Sequence, residues 1–216
     1  MIQTKDFDYL SSKLYTAVLS DIMDDLGYSG RVMNNRIRPL FPCRLIGRAF
    51  TVQTTAVTEV PEVPYQGLLK SLDDIREGEI YVADASSQTS GFWGELISNA
   101  VRAKGGRGAI VDGYSRDNAK IIEMQFPVFS TGPNPLDSKG RNEVVAHRTP
   151  IRCGGVQVNP GDLIFADIDG IIVIPNEIED TVIERALKKA ENENDVRAAF
   201  NEGLTATEVF KKFGIL

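Results

Sequence analysis

An α/β fold is predicted by three features of the chain. Between residues 47 and 125, runs of strand character take turns with runs of helical spacing. The run "GAIVDG" (108–113) is apolar without alternation, as suits a strand buried on both faces of a sheet. Beyond residue 126 the helical spacing gives way to short strand-like runs, so a β-rich second half is expected.

Taken in order, residues 6–26 carry Leu10, Leu14, Val18, Ile22 and Leu26 at four-residue intervals. This is the apolar stripe of one helix, and Gly27 supplies its stop. "GRAFTVQTT" (47–55) alternates in the β manner, "YQGLLKSLDDI" (65–75) has helical spacing, and "GEIYVADAS" (78–86) reads as strand. "FWGELISNAVRAKGG" is a helix stopped by Gly105 and Gly106, with Trp93 packing its start. "RDNAKIIEM" is a helix after the buried strand. "PIRCGGVQV", "DLIFADID" and "IIVIP" are three short strands separated by the turns "NPGD" and "DG". From Asn176 the chain is helical and highly charged, ending in a short helix within "TATEVFKKFGIL".

The composition narrows the chemistry. With 216 residues, 42% of them hydrophobic, the chain can bury a core, and it reads as one domain spanning residues 1–216. A net charge of -6 and no clustered lysine or arginine disfavour nucleic acid as the main partner. Cys43 and Cys153 are far apart and lack CxxC spacing, so a reducing cytosol is expected, with neither a disulfide framework nor a thiolate zinc site. The polar start and the absence of an apolar run near the roughly 20 residues that span a bilayer argue against a signal peptide or a membrane helix. His147 is the only histidine, so multi-histidine metal sites are excluded within one chain. Any bound ion would take mostly oxygen ligands, which points to magnesium or manganese.

The segment "VDGYSRDNAK" (111–120) places Asp112, Arg116 and Asp117 just after the buried strand, where α/β proteins build their sites. Read alone, it is better explained as a capped helix start with an internal ion pair. Gly94, Glu95, Leu96 and Ile97 open the preceding helix, where unpaired N–H groups favour an anion, although many helices begin this way without binding anything. Asp167, Asp169 and Gly170 are explained by an Asp-Gly turn, and His147 by a satisfied or surface imidazole. "KGGRG" (104–108) follows a helix, so a phosphate loop is not indicated.

The order of these motifs carries a resemblance. "WGELISNAVRAKGGRGAIVDGYSRD", then "FPVFSTG", then "GGVQVNPGDLIFADIDGIIVIP" closely resembles the RraA-like family, and "LSDIMDDLG", "IGRAFTV" and "ENENDVRAAFNEG" extend the likeness over nearly the full chain. That family includes 4-hydroxy-4-methyl-2-oxoglutarate/4-carboxy-4-hydroxy-2-oxoadipate aldolases, oxaloacetate decarboxylases and regulators of ribonuclease E. The resemblance implies an α/β fold of the RraA-like swivelling β/β/α type with a helical C-terminal arm, assembled as a homotrimer or homohexamer with sites between subunits. It implies that Asp117 ligates Mg²⁺ or Mn²⁺, that Arg116 contacts a 2-oxo acid, and that Glu95 holds water on the metal. The Gly94 to Ile97 turn would receive the substrate carboxylate. An acidic residue of an adjacent subunit's C-terminal helix would complete the site, with Glu193 the nearest match and Glu191 the alternative. Lys120 departs from the pattern, because the aldolases carry an acidic residue three positions after the aspartate.

The function so implied is metal-dependent C–C cleavage of a 2-oxo acid through an enolate, as retro-aldol release of pyruvate, oxaloacetate decarboxylation, or both. No lysine is needed, which separates this scheme from Schiff-base aldolases. The alternative is a non-catalytic protein that regulates ribonuclease E by binding. A methyltransferase, a label that members often carry, would want a glycine-rich turn between an early strand and helix, and this chain opens with a helix.

Overall fold

The structure, a computed structural model, describes residues 7–85 and 89–214. Helices α1 (Phe7–Lys13) and α2 (Thr16–Asp25) precede strands β1 (Arg38–Pro39) and β2 (Leu45–Ala56), and helix α3 (Gln66–Asp74) leads into β3 (Glu79–Asp84). Next come β4 (Gly91–Trp93), α4 (Glu95–Ala103), β5 (Gly108–Val111), β6 (Tyr114–Ser115) and α5 (Asn118–Glu123). The β-rich part contains β7 (Val128–Ser130), β8 (Gly132–Pro133), β9 (Asn142–His147), β10 (Ile151–Cys153), β11 (Val156–Val158), β12 (Leu163–Ala166) and β13 (Ile171–Ile174). Helices α6 (Glu179–Asn201) and α7 (Ala206–Phe213) follow.

The main sheet runs β1-β7-β5-β3-β2-β12-β13, with β9 also pairing β2. Its centre, β2-β3-β5-β7, is parallel, and β1, β9, β12 and β13 join antiparallel. The unbroken apolar runs are explained by the two faces. Phe50, Val52, Tyr81, Ala83, Ala109, Val111 and Val128 pack with α3, α4 and α5, while their neighbours Ala49, Ile80, Val82, Ile110 and Phe129 pack with β10 and β11. Strands covered on both sides need no polar alternation. A further cluster joins Ile46, Leu163, Phe165, Ile172 and Ile174 to α1, α2 and α6.

Several sequence expectations change at their edges. The single helix over 6–26 is two helices, because Tyr15 is extended (φ -148, ψ 161) and α2 restarts at Thr16; Asp6 lies outside the described residues. The restart has a tertiary cause. The buried carboxylate of Asp167 accepts from Thr16 N at 2.8 Å and from Thr16 Oγ1 at 2.6 Å, capping α2 from the β12–β13 loop. Asp169 N also donates to Asp167, at 2.9 Å, and the loop between Ala166 and Ile171 is four residues long rather than a two-residue Asp-Gly turn. Phe92 and Trp93 belong to β4 rather than to the helix, with Trp93 Nε1 donating to Ser98 Oγ at 2.8 Å. The strand expected over 78–86 ends at Asp84, and Ser86 lies outside the described residues.

"PIRCGGVQV" is two strands, not one. Cys153 pairs Val156 across Gly154 and Gly155, both at positive φ (56° and 82°), the backbone a two-residue hairpin requires. Strand β9, over "NEVVAH", is not signalled by the sequence pattern; its register shifts opposite Gln53–Thr54, and its burial does not follow a clean alternation. Among the described residues no helix is long and apolar enough to cross a membrane.

Candidate functional site

A second sheet positions the candidate residues. Strands β4, β6 and β8 pair in that order, all parallel. The chain leaves β4 into Gly94–Ile97, leaves β6 into Arg116–Asp117, and leaves β8 into the loop that carries Asp137. The segments after β4 and β6 meet at one end of this small parallel sheet, where strand ends hold loops rigidly, and the loop after β8 returns alongside Gly91 at the start of β4, bringing Asp137 within reach of Arg116. They line a cavity of about 500 Å³ together with Tyr65 and the apolar residues of α3 and α4.

The backbone makes the convergence possible. Arg116 N donates to Trp93 O at 2.8 Å, tying the end of β6 to the end of β4. Asp117 takes the left-handed conformation (φ 57) at the N-cap of α5. Its Oδ2 accepts, at 3.4 Å, from the N–H of Glu95, the first residue of α4. A Cβ at Gly94 would lie 2.9 Å from that oxygen and 3.3 Å from Arg116 Cγ, so any larger residue would push the Asp117 carboxylate from this position.

The N-cap residue Gly94 has no side chain to cap α4, so apart from the long Glu95 N–H contact with Asp117 the first turn presents N–H groups that the helix itself leaves unbonded. Arg116 lies between two carboxylates, with Nε 3.8 Å from Asp117 Oδ1 and Nη1 3.3 Å from Asp137 Oδ1. Tyr65, itself at positive φ (64°), donates its hydroxyl to Asp137 Oδ2 at 3.4 Å. Burial, and then the Asp137 carboxylate, hold the Tyr65 phenol above its ordinary value, so it is a neutral donor at physiological pH.

Of the residues singled out in the sequence, the cavity gathers Gly94, Leu96, Ile97, Arg116 and Asp117. Glu95 contributes its backbone, while its carboxylate accepts from Asn99 along the outside of α4. Glu193 is elsewhere in the same chain, on α6, accepting from the Tyr15 hydroxyl and, at 3.2 Å, from Arg197. Lys120 is exposed in the first turn of α5. Asp112 holds a structural position: its buried carboxylate takes Arg36 Nη2 at 2.5 Å and Gly154 N at 2.9 Å, joining the strand end to the β10–β11 turn. His147 stacks on Phe50 (5.6 Å) with Nε2 3.4 Å from Asp74, apart from the Arg116 cavity.

Sequence reasoning missed Tyr65 and Asp137. Asp137 lies in "PNPLDSKGR", a segment with no motif of its own, whose place beside Arg116 depends on the pairing of β8 with β6.

The fold and site together define an α/β protein with its candidate site at strand C-termini. The chain belongs to the RraA-like family: the Aldolase/RraA family model matches residues 16–173. A protein of Halalkalibacterium halodurans described as a putative 4-hydroxy-4-methyl-2-oxoglutarate aldolase is 29% identical over 197 residues, covering 90% of this chain and 89% of that protein. Protein DlpA of Legionella pneumophila is 29% identical over 192 residues, 88% of this chain, but the chain spans only 31% of DlpA. Among solved structures, Streptomyces coelicolor RraAS2, described as an unusual member of the RNase ES inhibitor RraA protein family, superposes with a TM-score of 0.77 at 26% identity, covering 88% of this chain and 96% of that one. The family thus contains both aldolases and ribonuclease regulators.

Proposed function

We propose that this protein is a divalent-metal-dependent C–C lyase acting on a 2-oxo acid, by retro-aldol cleavage of a 4-hydroxy-2-oxo acid to pyruvate, by decarboxylation of oxaloacetate, or by both. The observation that carries the reading is the Arg116–Asp117 pair held against the uncapped start of α4 within one cavity. The donor set suits Mg²⁺ or Mn²⁺. Asp117 is 42% exposed and its contacts with Glu95 N and Arg116 Nε are long, which leaves oxygen lone pairs open to a hard cation that keeps most of its own water. When bound, such an ion supplies Lewis-acid polarisation of the 2-oxo group.

The chain's residues do the rest. The N–H groups at the start of α4, from Glu95 to Ile97, bind and orient the substrate carboxylate. Arg116 fixes the 2-oxo end and stabilises the negative charge that develops on its oxygen as the C–C bond breaks. Glu95 would hold the water that moves the proton between substrate and solvent, its carboxylate turning from Asn99 towards the cavity when substrate binds. Retro-aldol cleavage and β-decarboxylation pass through the same enolate, so activity on oxaloacetate alone does not identify the physiological substrate.

This reading includes assembly as a homotrimer or homohexamer, with Glu193 of a second copy reaching the cavity. It is supported by Leu96 and Leu69, 77% and 57% exposed on the same cavity, a shared apolar exposure that suits burial by a partner. Light scattering that finds only monomer would remove that part. The central test is pyruvate release from a panel of 4-hydroxy-2-oxo acids and oxaloacetate. Turnover is expected to need Mg²⁺ or Mn²⁺ and to vanish in Asp117→Ala; full activity in the presence of chelator would overturn the metal assignment. Trapping of substrate onto the protein by borohydride would instead establish a Schiff base. A second reading, regulation of a ribonuclease by binding, is favoured by the likeness to RraAS2. Capture of the ribonuclease by protein that releases no pyruvate would support it over catalysis.

A further inference from the structure

Among the described residues two carboxylates line the cavity; Asp117 is assigned to the ion, and Asp137 has no part in the scheme above. Its position is nonetheless built. A bridge between Gly91 and Asp137 lays this loop along the start of β4, where Gly91 N donates to Leu136 O at 2.9 Å and a Cβ on Gly91 would come within 2.5 Å of Asn134 O. Leu136 N donates to Asn134 Oδ1 at 3.0 Å, and Asn134 Nδ2 to Thr89 O at 2.6 Å. The Tyr65 hydroxyl donates to Asp137 Oδ2, and Arg116 Nη1 lies 3.3 Å from Oδ1. Asp117 meets a different nitrogen of the same guanidinium, Nε, so each carboxylate has its own place on Arg116. With its side chain 53% exposed, Asp137 can pass a proton to solvent.

Retro-aldol cleavage needs a base that β-decarboxylation does not. The 4-hydroxyl must lose its proton as C3–C4 breaks, whereas the β-carboxylate of oxaloacetate is already ionised. In a 4-hydroxy-2-oxo acid the hydroxyl stands in a 1,3 relation to the oxo group, so an oxo oxygen held by Arg116 brings the hydroxyl beside the same guanidinium. The carboxylate there, apart from the one assigned to the ion, is Asp137. We propose that Asp137 is the general base of the retro-aldol step, with Tyr65 a positioning residue that acts through it. The inference rests on the 2-oxo acid reading of the site. Asp137 accepts the hydroxyl proton, the O–H electron pair forms the C4 carbonyl, and the C3–C4 pair passes to the enolate beside Arg116. Water held by Glu95 returns a proton to C3, and Asp137 gives its own to solvent, so the cycle closes without an oxidant or reductant.

The test compares the two reactions in one protein. Pyruvate release is followed from the best-cleaved 4-hydroxy-2-oxo acid of the panel and from oxaloacetate, both with Mg²⁺, and pyruvate binding is measured by calorimetry. Asp137→Asn and Asp137→Ser are expected to lower kcat for cleavage by about a hundredfold or more and for decarboxylation by less than about tenfold. Tyr65→Phe should lower cleavage by less, again with the smaller effect on decarboxylation. Pyruvate should bind both Asp137 variants at least as tightly as the unaltered protein, because Arg116 loses a competing carboxylate. Equal losses in the two reactions, or weakened pyruvate binding, would make Asp137 a support for Arg116 and overturn the base assignment. Undiminished cleavage in both Asp137 variants, or decarboxylation by an unaltered protein that cleaves no hydroxy acid, would overturn it too while leaving the lyase reading intact. Turnover of neither acid by the unaltered protein would overturn the lyase reading and the base assignment with it.

Discussion

At the scale of single residues, the candidate site depends on closeness that only particular atoms permit. Gly94 is the clearest case, because an added methyl would press within 2.9 Å of Asp117 Oδ2. Gly94→Ala is therefore expected to displace that carboxylate and lower kcat/KM roughly tenfold to a hundredfold. Its unfolding midpoint should stay near that of the unaltered protein, since α4 is otherwise intact; equal activity of the variant would show that the approach is not needed. Cys43 illustrates a residue whose reactivity is set by burial. Desolvation pushes its thiol up to about 11, so the thiolate forms only as the pH rises towards that value. At pH 8 its reaction with Ellman's reagent should be on the order of a hundredfold slower than that of a free thiol. Rapid labelling at pH 8 would contradict this.

Elements are placed by contacts that their own sequences do not advertise. The apolar stripe of residues 6–26 is continuous, yet the helix breaks at Tyr15 because Asp167, 151 positions away, supplies the cap that α2 lacks locally. Removing it in Asp167→Ala strands the two Thr16 donors in a buried setting and should cost about 2–4 kcal/mol in urea unfolding. A loss below about 0.5 kcal/mol would mean that water or another group replaces the cap. The small sheet is governed in the same way: β4, β6 and β8 have three, two and two residues, and no periodicity can be read from such lengths.

Over the whole molecule, the C-terminal helix is locked to the main sheet by a nearly enclosed ion pair. Arg48 of β2 bonds Glu179 at the start of α6, with Nη2 2.7 Å from Oε1, and the Glu179 side chain is only 1% exposed. Truncating one member leaves the other charged and enclosed, so Glu179→Ala should destabilise the protein by about 3–5 kcal/mol, measured by chemical denaturation. A near-neutral result would show that other partners of Arg48, Gly161 O and Asn176 Oδ1 among them, suffice. That anchor sets the course of the helix carrying Glu193, and so the face that a second copy would meet.

The sequence by itself determined the α/β class, the doubly buried core strand and most helices, because burial on both faces and a 3.6-residue stripe are local patterns written into residue order. It also singled out Arg116 and Asp117, through their place after the strand "GAIVDG" and through the family likeness. Only the tertiary structure decided that Gly94, Arg116 and Asp137 share one cavity, that Asp167 caps a distant helix, and that Glu95 turns its carboxylate towards Asn99. Those outcomes depend on strand order and on atoms brought together across tens of residues. A one-dimensional pattern carries no term for such meetings, since their energies arise only when the loops are folded against one another.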